Sequence, residues 1–235
     1  VLWTVRPVND APTLSALTEQ TVSDGAPAGP VLFTVGDVDT DLANVSVRAV
    51  SSNPTLAPVG GMELTGGGAN RGITVRPVPG QTGTTEVTLT ADDGQGGTTE
   101  RRFVVTVRGL APEVTSPTGT RNAVAGTEIT LSATAQGTPP LAFQWFFNGA
   151  VIPGATATTL RLPTVQLNDA GTYRFEASNA AGRDARDVVV LEVRSDLGIA
   201  QEVQAQTVLV GQTVTRRVVA AGTGPFRYQW ARNGP

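Results

Sequence analysis

Three stretches decide how this chain is read: Gly126-Thr-Glu-Ile-Thr-Leu-Ser-Ala-Thr-Ala135, Leu141-Ala-Phe-Gln-Trp-Phe-Phe-Asn-Gly149 and Asp169-Ala-Gly-Thr-Tyr-Arg-Phe-Glu-Ala-Ser-Asn179. In the first, Ile129, Leu131, Ala133 and Ala135 alternate with polar residues and so fall on one face of a strand. Pro139-Pro140 interrupts the chain, after which Phe143 and Trp145 share one side of a second strand that Asn148-Gly149 ends in a turn. Leu160-x-Leu162-x-x-Val165 gives another short alternation before the Asp-x-Gly-x-Tyr segment and its strand.

Composition bounds what can surround these strands. A chain of 235 residues is expected to hold two or three domains. Its 27 Gly and 16 Pro, spread among short apolar alternations, indicate many strands joined by many turns and little helix. Net charge is −3, and the 17 basic residues are all Arg and scattered, which argues against a nucleic-acid partner. The absence of Lys points to a GC-rich bacterial genome. With no Cys and no His, the chain has no thiol nucleophile, no Ser-His dyad and no usual zinc ligand set. Carboxylate pairs such as Asp92 with Asp93 sit in Gly-flanked turns with none of the companions that acid–base hydrolysis requires, so no enzymatic activity is expected. The lack of Cys fixes no compartment. The apolar run Val188-Val-Val-Leu191 stops at Glu192, far short of the ~20 residues of a membrane-spanning helix. Val1-Leu-Trp-Thr-Val-Arg-Pro-Val8 lacks the marks of a signal peptide and reads as the last strand of a preceding domain.

Two internal likenesses set the boundaries. Trp3-Thr-Val-Arg-Pro-Val-Asn-Asp-Ala-Pro12 is similar to Phe103-Val-Val-Thr-Val-Arg-Gly-Leu-Ala-Pro112, each a strand ending in Thr-Val-Arg before a link to Ala-Pro. Between them, period-two strands are expected at Val31–Val35, Val45–Val50, Ile73–Arg76, Val87–Ala91 and Arg102–Val107, with Gly-rich turns at Thr65–Gly68 and Asp93–Gly97. Farther on, Val210-Gly-Gln-Thr-Val-Thr215 repeats Ala125–Thr130, and Phe226-Arg-Tyr-Gln-Trp-Ala-Arg-Asn-Gly234 repeats Leu141–Gly149. Trp230 follows Trp145, and Gly211 follows Gly126, at one separation of 85 residues, which makes this a true repeat. The expected organisation is a last strand and linker over residues 1–10, a sandwich over 11–109, a second over 110–194, and the first half of a third over 195–235. Uncovered residues in that half, such as Val214 and Val218, imply that the polypeptide continues or that another chain supplies the missing strands.

The three opening stretches resemble the immunoglobulin fold, in its intermediate set. The family bridges its two sheets with a disulfide; the matching positions here hold Ala133 and Phe175, so no bridge forms. Packing of a small residue and a large aromatic beside Trp145 would have to offset the roughly 2–4 kcal/mol that a disulfide contributes. The resemblance implies a tyrosine corner at Tyr173, shaped by Asp169 and Gly171, and makes Ala133, Trp145, Tyr173, Phe175 and Trp230 core residues. The other reading of Trp145 and Tyr173 is as surface platforms for sugar.

Residues 11–109 resemble the cadherin-like repeats of large bacterial surface proteins through Val8-Asn-Asp-Ala-Pro12, Asp37-Val-Asp-Thr-Asp41 and Ala91-Asp-Asp-Gly94. That resemblance implies calcium ligands at Asn9, Asp10, Asp37, Asp39 and Asp92, with Asp41 and Asp93 as close neighbours. The alternative is that these residues only make turns. Arg108-Gly-Leu-Ala-Pro112 lacks the Asn-Asp pair and is expected to bind no calcium. The fold class is then all-β: elongated, tandem Greek-key β-sandwiches, cadherin-like followed by immunoglobulin-like. The function implied is a non-catalytic structural or adhesive segment of a bacterial cell-surface or extracellular protein, its partners being protein chains met by homotypic or strand-edge contacts, or glycans. The competing reading is a set of spacer modules of a large secreted enzyme, such as a polysaccharide hydrolase.

Overall fold

Alternation in the first hundred residues produces eight strands. A computed structural model of the chain describes residues 8–196, 198–201, 206–222 and 225–231. The strands are β1 (Thr13–Leu14), β2 (Gln20–Ser23), β3 (Ala28–Gly36), β4 (Ser46–Ser51), β5 (Met62–Gly67), β6 (Asn70–Val75), β7 (Gly83–Asp92) and β8 (Thr98–Arg108). They make two four-stranded sheets, in the orders β1-β3-β6-β5 and β2-β8-β7-β4. All pairings are antiparallel except one: β2 runs parallel to β8, with Gln20 opposite Val105 and Ser23 opposite Arg108. Val31, Phe33 and Val35 of β3, Ile73 and Val75 of β6, Val87, Leu89 and Ala91 of β7, and Phe103, Val105 and Val107 of β8 bury one face of each sheet in a shared core.

Each strand expected in this region is present, but the alternation did not reveal β1, β2 and β5. Thr65–Gly67, expected as a turn, continues β5 at a sheet edge, and the turn falls at Gly68–Ala69. An edge strand is paired on one side only and needs no continuous apolar stripe, so its sequence carries little period-two signal.

The second sandwich contains β9 (Glu113–Val114), β10 (Gly119–Val124), β11 (Ile129–Ser132), β12 (Ala135–Gln136), β13 (Ala142–Phe147), β14 (Ala150–Val151), β15 (Thr159–Leu162), β16 (Gly171–Asn179) and β17 (Gly182–Arg194). One sheet runs β10-β17-β16-β13-β14; the other layer is made of the pairs β11-β15 and β12-β9. The parallel pair returns here, with Gly119 of β10 opposite Val189 and Val124 opposite Arg194 of β17. By contact density the described residues form two compact units: the first holds the residues up to Pro112 with Gly137–Leu141 and Ser178–Gly182, and the second holds Glu113–Gln136, Ala142–Ala177 and the residues from Arg183 onward.

Aromatic side chains occupy the middle of the second core. Trp145 is 0% exposed, with its ring centroid 5.0 Å from that of Phe175, and Phe143 stacks on Phe175 at 5.3 Å. The indole Nε1–H donates to Ala157 O at 2.9 Å, so the one polar atom of the ring is satisfied inside the core. Ala133 and Phe175, at the positions where the family has its cysteines, are both buried. Tyr173 is buried beside Phe147, and its hydroxyl donates to Asp169 O at 3.0 Å, closing the corner. Burial pushes the Tyr173 hydroxyl up to about 12. Neither Trp145 nor Tyr173 presents a ring to solvent, so the sugar-platform reading fails for both.

The third stretch departs from expectation. Among its described residues the only strands are β18 (Gly198–Gln201) and β19 (Val219–Ala221), an antiparallel pair; Val210–Gly211 is a turn, and residues 212–218 and 226–230 form no strand. Trp230, expected in a core, stands 60% exposed because no second sheet lies over it among the described residues. Val1–Arg6 and Pro7, expected as the end of a strand, lie outside the described residues, as do Asn233 and Gly234.

Truncating Trp145 to Ala empties the largest fully buried site of the second sandwich and removes the bond to Ala157. Chemical denaturation should show a loss of roughly 3–5 kcal/mol in that sandwich; a loss below about 1 kcal/mol would place the indole outside the core, since only surface changes are that mild.

Candidate functional site

The acidic loops of the first sandwich are the chemically dense part of the chain. β7 buries Val87, Leu89 and Ala91, and the same period of two carries Asp93 inward, to 4% exposure. Asp92 falls on the other side, where its carboxylate only accepts from Gly94 N at 2.8 Å. Asn9 Nδ2 donates to Asp93 Oδ2 at 2.7 Å, while Asp93 Oδ1 accepts from Gln95 N and Gly97 N at 2.7 and 3.0 Å. In the loop after β3, Asp37 Oδ1 accepts from Thr40 N at 2.8 Å and Asp39 N at 3.1 Å. Asp39 Oδ2 in turn accepts from Asp10 N at 3.1 Å, and Gln95 Nε2 donates to Thr40 Oγ1 at 3.0 Å, tying the two loops together.

The structure therefore gathers Asn9, Asp10, Asp37 and Asp39 with Asp93, and turns Asp92 away. The resemblance put Asp92 in the cluster with Asp93 as a close neighbour; strand alternation, followed two residues past Ala91, brings Asp93 to Asn9. Asp41 caps its own loop through Ala43 N at 3.0 Å.

Most carboxylate oxygens here are satisfied by N–H groups, which hold the charged form. The Asn9 amide, followed by backbone N–H groups, keeps Asp93 below the ordinary carboxylate value of 3.8 despite its burial. Asp37 is lowered too, first by Thr40 N–H, against the opposing effects of burial and the nearby Asp93 charge. One atom is left over: Asp37 Oδ2 is sealed from solvent and has no hydrogen-bond partner. Among the described residues no three Asp, Glu, His or Cys side chains stand as a ready metal-holding group.

Outside the loops, the sheets end in strands paired on one side. These are β1, β5, β2 and β4 in the first sandwich and β10 and β14 in the five-stranded sheet of the second. No helix among the described residues is long and apolar enough to cross a membrane.

Comparison with known proteins adds family and fold to this geometry. The family described as "Immunoglobulin domain" matches residues 111–179, and the family described as "Bacterial Ig domain" matches residues 9–106. The chain carries immunoglobulin-like modules in tandem. The match over 9–106 is thus to a bacterial immunoglobulin domain, while the likeness to cadherin-like repeats rests on the loop motifs alone. Mouse hemicentin-2 is 31% identical over 141 residues, 59% of this chain and 3% of that protein. Mouse contactin-2 is 30% identical over 117 residues, 48% of this chain and 11% of its own length. The chain therefore spans only a small part of the curated relatives it matches. A crystal structure of titin domains A168-A170 superposes with a TM-score of 0.54 at 17% identity, covering 81% of this chain and 70% of that one, a likeness of fold.

The lowered carboxylates give a pH prediction. A group whose folded value is depressed contributes stability above its unfolded value and loses it as pH falls through the folded one. Melting temperature of the first module should accordingly stay level above about pH 5 and drop as pH falls below the ordinary value of 3.8. In Asp93→Asn the drop should be shallower, and an identical acid profile in wild type and variant would remove Asp93 as a contributor.

Proposed function

We propose that the chain is a non-catalytic structural and adhesive segment of a large extracellular or cell-surface protein of bacterial type, acting through tandem immunoglobulin-like modules. The observation that carries this reading is that two successive sandwiches repeat one wiring, each closed by a parallel pairing of an early strand with its last, and each presenting edge strands that a neighbouring chain can extend. The bacterial context is supported by the match to a bacterial immunoglobulin domain and by an all-Arg basic complement. The contrasting reading, spacer modules of a secreted enzyme, shares the same fold, because fold does not determine function. Beads coated with the 235-residue chain should cluster with one another, and not with beads bearing an unrelated β-sandwich. Failure to cluster, together with a catalytic domain encoded in the same reading frame, would favour the spacer reading.

A second reading, calcium at the acidic loops, is supported by Asp37 Oδ2, a sealed carboxylate oxygen with no partner, among other hard oxygen donors. Asp37 would give that oxygen to the ion, which would supply the positive charge that the loops otherwise draw from N–H dipoles. Millimolar calcium should then raise the melting temperature of the first module, and Asp37→Ala with Asp39→Ala should abolish the rise. No heat of binding by calorimetry at that concentration would leave the loops as hydrogen-bonded turns.

A further inference from the structure

The hydrogen bonds around Thr138 are built more tightly than a surface loop requires. Thr138 is 5% exposed, and its hydroxyl both accepts from Leu110 N at 2.8 Å and donates to Asp24 Oδ2 at 2.7 Å. Thr138 N donates to Leu110 O at 3.1 Å, so the two residues exchange bonds. The other Asp24 oxygen accepts from Gly80 N at 2.8 Å, and Asp24 N donates to Arg108 O at 2.8 Å. Asn179 completes the set: its Nδ2 donates to Leu110 O and Thr138 O at 2.7 and 2.8 Å, while its Oδ1 accepts from Ala181 N and Gly182 N. All of these residues belong to the first compact unit. Every polar atom of the Thr138 and Asn179 side chains is engaged, the condition under which a buried polar network rigidifies what it holds.

The object held is the segment that leaves β8. Gly137 lets the loop press on it: with φ +154°, a Cβ there would lie 2.9 Å from Pro112 Cα and 3.3 Å from Ala111 O. The repeat shows the same approach a second time. Gly137-Thr-Pro-Pro140 recurs as Gly222-Thr-Gly-Pro225 at the same 85-residue separation. Gly222, with φ +119°, stands where a Cβ would lie 2.8 Å from Asp196 Oδ1 and 2.9 Å from Asp196 O. Asp196 is the 85-residue counterpart of Ala111 and lies two residues beyond the end of β17. The register that relates Trp145 to Trp230 therefore also relates two Gly-on-segment contacts, one in each unit.

We infer that Gly137-Thr-Pro-Pro140 is a segment-fastening motif that clamps the chain as it leaves a final strand, and that the close approach of its glycine is repeated at Gly222 with the immunoglobulin-like module. At Gly137-Thr-Pro-Pro140 the glycine supplies the close approach, the Thr138 hydroxyl caps the Leu110 amide of the departing segment, and the Asp24 carboxylate orients that hydroxyl. From sequence only Pro139-Pro140 stands out, as a strand break, because the partners Asp24 and Asn179 of Thr138 are distant in sequence.

Hydrogen exchange on the full chain tests the motif residue by residue. In Thr138→Val the Leu110 amide loses its acceptor and should exchange roughly tenfold faster, the factor that one buried hydrogen bond supplies, while Leu131 in the core of the second sandwich keeps its wild-type rate. Thr138→Ser retains the hydroxyl and should restore protection at Leu110. Asp24→Ala should raise exchange there by less than Thr138→Val, and Gly222→Ala should raise exchange at Asp196. Equal protection of Leu110 in the Val and Ser variants, or a change that appears only in step with Leu131, would overturn the motif.

Discussion

Both sandwiches depend on one pairing: a short strand near the start of the unit runs parallel to the last strand. β2 does this against β8, and β10 against β17. Every other ladder of the first sandwich is antiparallel, but this one joins residues about 85 positions apart in the first unit and about 70 in the second, and the chain recovers the entropy of closing so large a loop only by burying the inner faces of its sheets. Where the pairing exists, Val105 and Val107 in one unit and Leu191 in the other are buried. Over the described part of residues 198–231 no such pairing is present, and Tyr228 and Trp230 stay exposed although the sequence around them repeats that around Trp145.

The legible part of the fold was the part in which burial writes a period into the chain. Ile129, Leu131 and Ala133, Phe143 and Trp145, and Tyr173 and Phe175 each alternate because one face of the strand meets a dry core, and all are where that alternation puts them or close to it. Strands β1, β2 and β5 were not legible, since two- to six-residue edge segments bury too little to impose a pattern. The acidic loops were legible as a cluster but not in detail. Choosing Asp93 over Asp92 required following the stripe Val87, Leu89, Ala91 past the end of its strand, a signal present in the sequence that the loop motif obscured. Asp24, Thr138 and Asn179 could not have been found, because nothing local marks residues that meet across more than a hundred positions.

The absence of the inter-sheet disulfide shows how far packing can stand in for a covalent constraint. Phe175 takes one cysteine position and is wrapped by Trp145 and Phe143, with ring centroids 5.0 and 5.3 Å away, while Ala133 keeps the other position small. A cross-link stabilises mainly by restricting the unfolded chain, whereas this cluster stabilises the folded one directly. The same preference for local satisfaction runs through the polar regions: carboxylates at Asp37, Asp39 and Asp93, the hydroxyl of Thr138 and the amide of Asn179 each find N–H or O–H partners within the fold. Modules finished in this way can be placed in series, which is what the proposed adhesive role would ask of them.

The central claim is the parallel closure of each module, and cross-strand nuclear Overhauser effects report it directly. Parallel closure predicts contacts of Thr21 with its partner Thr106, and of Ala123 with its partner Val193, within ladders whose register advances in the same direction on both strands. Contacts whose register runs in opposite directions along either pair, or their absence while the antiparallel ladder of β7 and β8 is intact, would contradict it.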